Sequence, residues 1–219
     1  QWIGLDRPAP GDSETQWSRL AARYLRKEFA LTKEVKRATV HIAGMGLYEL
    51  FINGQRIGEQ VLAPAPTDYR KTILYNTYDV TPQLQKENAI GVILGNGRFY
   101  TMRQNYKPYK IPTFGYPKLR LNLIVEYTDG SRQTIASDIS WKLTTEGPIR
   151  SNNEYDGEEY DARKELGDWN RTGYDDTNWI PAGRVSIPSG TLRAQMMPGM
   201  KVTESLKPCL LYTSPSPRD

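Results

Sequence analysis

Residues 48–53 alternate between two kinds of position. Tyr48, Leu50 and Ile52 share one side of an extended chain, and Glu49, Phe51 and Asn53 share the other. A period of two marks a half-buried β-strand, whose apolar side needs a partner layer. Asn53-Gly54 follows, a pair that accepts positive φ, and Gln55-Arg56-Ile57-Gly58 then returns as the second arm of a hairpin. The same reading recurs along the chain. Ala38, Val40 and Ile42 share a face opposite Thr39 and His41. Residues 74–80 and 89–94 read as strands, the latter stopped by Gly95-Asn96-Gly97. Leu119, Leu121, Leu123, Val125 and Tyr127 alternate with Arg120, Asn122, Ile124 and Glu126, and Thr128-Asp129-Gly130-Ser131 turns the chain into a strand at 132–136. Many short strands, frequent turn signals and little helical periodicity predict an all-β, antiparallel β-sandwich of jelly-roll type with long loops.

The remaining segments are less regular. Residues 17–29 allow a helical turn in their first half, and 24–29 read as a strand. Residues 61–70 are a proline-rich loop and 82–87 a short polar crossing. The longest irregular stretch is 98–117, a length that in a compact domain often signals function. Trp141 and Leu143 open another strand. The run Asp175-Asp176-Thr177-Asn178-Trp179 predicts a turn whose tryptophan folds back onto a sheet. The expected division is a lead-in at 1–22, a sandwich at 23–185, a linker towards a following module at 186–208, and a tail at 209–219.

That tail, CLLYTSPSPRD, can be back-translated to a string resembling the end of a transposase-type sequencing adapter, and the expectation is that it is an artefact. It contains the single cysteine, Cys209, so the preceding 208 residues offer no disulfide, thiolate nucleophile or cysteine-ligated metal. One histidine, His41, excludes a histidine-based metal cluster, and its mid-strand position predicts a partly exposed strand residue. A net charge of +4 distributed along 219 residues predicts a solvated surface and no nucleic-acid partner. No apolar run approaches the ~20 residues that span a bilayer, so no membrane segment is expected. The chain starts at Gln1, which leaves its compartment open.

Two segments bear chemistry. Glu154, Asp156, Glu158, Glu159 and Asp161 form an acidic cluster in which alternate residues would project to one side. It fits either a solvated loop paired with Arg163 or an edge that binds calcium or sugar, because hard carboxylate oxygens suit calcium. The stretch 98–118 places Phe99, Tyr100, Tyr106, Tyr109, Phe114 and Tyr116 among Arg98, Arg103, Lys107, Lys110 and Lys118. Such a mix could cover the sandwich, stack on sugar rings or stack on bases. Asp68-Tyr69 and Asp79 are expected to fix loops.

In order along the chain, YELFING, TDY, LYNTYDVT, ENAIGVILGNGRFY, GPIRSNNEYDGEEYDAR, GDWNRTGYDDTNWIPA and LRAQMMPGMKVTESLKP resemble the N-terminal β-sandwich of bacterial α-L-rhamnosidases, over residues 2–208. The resemblance implies a galactose-binding-like sandwich and a non-catalytic accessory role. It places the catalytic acids of the family in a downstream helical barrel, so no catalytic residue is expected here. It implies a rhamnose-containing carbohydrate and the downstream catalytic domain of the same chain as partners, and a periplasmic or secreted parent enzyme. No cofactor is required, with calcium the one candidate. The expected carbohydrate contacts are Arg103, Asn105, Tyr106, Tyr109, Tyr116, Asp156 and Glu158. The alternative is a purely structural domain that buttresses the barrel.

Overall fold

The computed structural model describes residues 1–9, 20–100, 114–153 and 157–208. Fifteen strands are described: β1 (Ile3–Gly4), β2 (Arg23–Ala30), β3 (Val35–Met45), β4 (Leu47–Ile52), β5 (Gln55–Ile57), β6 (Thr72–Asp79), β7 (Glu87–Gly95), β8 (Lys118–Tyr127), β9 (Arg132–Ala136), β10 (Lys142–Thr144), β11 (Ile149–Asn153), β12 (Gly157–Tyr160), β13 (Ile180–Pro181), β14 (Gly183–Arg184) and β15 (Thr191–Ala194). Single 3₁₀ turns occur at Thr81–Gln83 and Ala162–Lys164.

Two sheets form a sandwich. The first runs β14-β1-β8-β3-β6-β15, with β9 also paired to β8; the second runs β13-β10-β2-β7-β4-β5. A separate hairpin, β11-β12, stands beside them. The alternation seen in sequence sets which side chains meet. Val40, Ile42, Leu121, Leu123 and Val125 from the first sheet join Leu25, Leu50, Ile52, Ile90 and Val92 from the second in one fully buried core. Pleating requires this, since a one-residue slip would put every one of these side chains in water. Trp141 seals one margin of the core and donates its indole N–H to the Ala136 carbonyl at 3.0 Å. The Tyr48 hydroxyl on β4 links the layers, donating to Asn76 Oδ1 on β6 at 2.7 Å and lying 3.2 Å from the Tyr78 hydroxyl. Burial pushes the Tyr48 pKa far up, which keeps it a neutral donor.

The Asn53-Gly54 turn forms as expected, with φ of 51° and 82°. Asn53 also ties the hairpin down, accepting from Ala89 N–H at 2.9 Å and donating to the Gln83 carbonyl at 2.9 Å. The sheet takes strands from both flanks of 23–185. Trp2-Ile3 anchors β1 against β8, and β15 pairs with β6 in parallel register, Thr191 opposite Thr72. β15 thereby occupies backbone groups that an edge strand would leave unpaired.

Both outer faces are partly covered, each by its own apolar cluster. On the first sheet, Ala43, Met45 and Ile73 pack with Trp2, Tyr69 and Phe99. On the second, Ala22 and Tyr24 pack with Trp169 and Trp179, so the predicted fold-back of Trp179 is present. Gly91 permits this cover, because a Cβ there would lie 2.7 Å from the Trp169 ring. Arg26 fastens it. This 2%-exposed side chain donates to the carbonyls of Trp169 and Arg171 at 2.9 Å each, pairs with Asp176 and Glu28, and lies 5.4 Å from the centre of the Tyr174 ring. Truncating such a hub leaves several buried acceptors without a donor. Arg26→Met is therefore expected to destabilise the chain by about 3 kcal/mol, lowering its melting temperature by roughly 6–12 °C in a thermal scan. A loss under ~1 kcal/mol would show that the 168–179 segment is held by its tryptophans alone.

Candidate functional groove

Among the described residues, the Trp169 cluster covers one end of the second sheet's outer face. Beside the Trp169 cluster a groove of about 640 Å³ remains open. Its floor is the solvent-side alternation of β4 and β7: Leu47, Glu49, Ile93 and Gly95. The β11-β12 hairpin contributes Ile149, Asn152, Gly157 and Glu158 as one wall. Leu62, Pro66, Tyr69 and Met200 contribute the other, and Arg98 also lines it. Asn152 and Glu158 are register partners, directly opposite across the hairpin. An apolar floor with a few convergent polar groups is the general composition of a small-ligand site.

Two asparagines hold that wall in place. The Asn96 backbone N–H donates to Asn152 Oδ1 at 2.6 Å. Asn96 Nδ2 donates to the Leu20 and Asn152 carbonyls at 3.0 and 2.8 Å. The run Gly95-Asn96-Gly97, whose sequence ended a strand, is thus also the clamp that fixes the hairpin.

The sequence-predicted contacts are divided. Arg103, Asn105, Tyr106, Tyr109 and Asp156 lie outside the described residues. Glu158 lines the groove. Tyr116 does not: it lines a different cavity with Asp6, Arg70, Phe114 and Lys118, stacks on Tyr100 at 5.7 Å, and lies 6.0 Å from the Arg23 guanidinium. The flanks of the 98–118 stretch are aromatic anchors, buried Phe99 packing on half-buried Phe114 at 5.9 Å and both on Tyr69. Leu47, Glu49, Ile93 and Asn152 were not singled out from the sequence. The available signal was Leu47 and Phe51 flanking Glu49 on what should be a solvent face.

The acidic segment is partly a solvated loop. Asp161 accepts from Arg163 Nε and Nη2 at 2.8 Å each, and this pairing holds its carboxyl down at about 2. Glu158 and Glu159 are exposed. Among the described residues no three histidine, cysteine, aspartate or glutamate side chains gather to hold a metal ion, and Glu154 lies outside them. Asp68 and Asp79 fix loops as expected, Asp68 through Arg70 and Asp79 through the Thr81 N–H and hydroxyl. His41 is a half-buried strand residue, also as expected.

A family model described as the α-L-rhamnosidase N-terminal domain matches residues 33–204. An α-L-rhamnosidase of Formosa agariphila is 43% identical over 193 residues, covering 86% of this chain and 20% of the relative. One from Streptomyces avermitilis is 38% identical over 206 residues, again 86% of this chain and 20% of the relative. Among solved structures, the α-L-rhamnosidase from Dictyoglumus thermophilum superposes with a TM-score of 0.81 at 41% identity, over 96% of this chain and 24% of its own. The Streptomyces avermitilis α-L-rhamnosidase complexed with L-rhamnose gives 0.78 at 34% identity, over 85% and 18%. The chain spans about a fifth of the length of the curated relatives it matches. It belongs to the family of α-L-rhamnosidase N-terminal domains.

Proposed function

We propose that this chain is the non-catalytic accessory domain of an α-L-rhamnosidase, and that it binds or positions rhamnose-containing glycans for a catalytic domain elsewhere in the full-length protein. The parent enzyme would release terminal α-L-rhamnose from glycans or glycosides. One observation carries the binding role: the open groove on the second sheet, where Glu49, Glu158, Asn152 and Arg98 surround an apolar floor. A deoxy sugar has an apolar methyl and ring face for Leu47 and Ile93, and hydroxyls for the carboxylates and amide.

Isothermal calorimetry of this chain with L-rhamnose, with and without calcium, is expected to give a saturable heat. No heat in either condition would refute sugar binding by the domain. The same preparation should release no rhamnose from an aryl rhamnoside, and release would refute the non-catalytic assignment.

A second observation favours a buttressing role beside binding. Met196, Met197, Met200, Val202 and Leu206 are 53–90% exposed, although the strap that bears them is tied down. The Val61 N–H donates to the Met200 carbonyl at 2.9 Å, and Lys201 pairs with Glu59 at 2.8 Å. An ordered strap with its apolar side chains outward is the pattern of an interface. In this reading the remainder of the full-length enzyme covers it. Met196→Asp with Val202→Asp should then lower the melting temperature of the full-length enzyme while leaving that of this chain unchanged. Equal effects on both would contradict the interface.

A further inference from the structure

The outer face of the first sheet bears a second groove, unrelated to the one above. It has a volume of about 270 Å³ and is lined by His41, Ala43, Tyr75, Arg120, Asn122 and Leu192. The register explains the gathering. His41 lies directly opposite Asn122 across the β3-β8 pair, and Ala43 lies opposite Arg120. Tyr75 comes from β6 on the other side of β3, and Leu192 from β15 beyond it. Small Ala43, buried among larger neighbours, forms the floor.

Polar side chains from β3 and β8 converge on this groove. His41 shares a hydrogen bond with the Thr77 hydroxyl through Nδ1 at 2.9 Å and has its ring edge-on to Tyr75 at 5.9 Å. This fixes the imidazole and leaves Nε2 for a ligand. Among the described residues, neither the Arg120 guanidinium nor the Asn122 amide has a side-chain hydrogen bond or ion pair. The acidic residues further along the same strands are already engaged. Asp79 accepts from Thr81, and Glu126 pairs with Arg132 at 2.9 Å. Among the described residues no carboxylate lines the groove, so the Arg120 guanidinium has no counter-ion within it. A planar guanidinium fork matches a carboxylate in two parallel hydrogen bonds. Tyr75 and Leu192 supply the apolar contact that a sugar ring needs, and the volume suits one ring rather than an extended oligosaccharide.

We infer that this groove binds a carboxylated pyranose, a uronate unit of an acidic glycan, with Arg120 taking the carboxylate and His41 and Asn122 the hydroxyls. The inference stands apart from the rhamnose reading, since it concerns another sheet and another ligand. The test is calorimetry of the chain with D-glucuronate, methyl β-D-glucoside and acetate, on the natural sequence and on Arg120→Gln and Asn122→Ala. Arg120 and Asn122 are half-buried residues without side-chain partners, so both variants should melt with the natural chain. Glucuronate is expected to bind saturably, and the glucoside and acetate each about tenfold or more weaker. Arg120→Gln should abolish the preference for the acid, Asn122→Ala should weaken binding of both sugars, and saturating L-rhamnose should leave the glucuronate isotherm unchanged. Several results would overturn the inference. They are no glucuronate binding, equal binding of glucuronate and glucoside, acetate binding as tightly as glucuronate, an Arg120→Gln variant with unchanged preference, an Asn122→Ala variant with unchanged affinity, or competition by L-rhamnose.

Discussion

A buried cation on the wrong side of a sheet determines much of this domain. Arg26 alternates outward from the sandwich core, where a strand residue would ordinarily meet water. Instead it is enclosed by the 168–179 segment, whose carbonyls and carboxylate take its donors. Burying a guanidinium is costly unless partners meet its charge and donors, so the segment and the side chain support one another. The consequence reaches the candidate site. Ala22, Ile93 and Ile149 belong both to the cluster under Trp169 and to the lining of the groove. The groove is the part of the second sheet that this cover leaves open.

The sandwich itself was legible in the sequence, because pleated strands report their burial residue by residue. Val40 and Ile42, Leu121, Leu123 and Val125, and Leu50 with Ile52 all face the core as their alternation requires. The Asn53-Gly54 hairpin was legible for the same reason, being a local conformational demand. The covers were not. Arg26 meets Trp169, Arg171 and Asp176 across roughly 145 residues of chain, and no local pattern encodes such a contact. β15 lies in the stretch expected to lead towards a following module, and its four residues, Thr191-Leu192-Arg193-Ala194, are too few to name a partner strand. Its place is set by the open edge of β6.

The candidate site divides along the same line. Glu158 was found because acidic clusters stand out in a sequence, and it does line the groove. Tyr116 was found because aromatic residues interleaved with cations stand out, yet its described contacts are with Tyr100 and Arg23 rather than with the groove. The groove's floor was hidden, since Leu47 and Ile93 are ordinary strand residues until the fold places them, half-buried, in the groove lining. The two proposed sites lie on opposite outer faces, so a branched or mixed glycan that engaged both would be held at two points. Two weak contacts then act together through their effective concentration.

The most direct test is an amide-resolved NMR titration of this chain with L-rhamnose. The account predicts saturable shifts that cluster at Leu47, Glu49, Ile93, Gly95, Asn152 and Glu158, with His41, Arg120 and Asn122 unmoved. Shifts confined to other surfaces, or none at any attainable concentration, would contradict it.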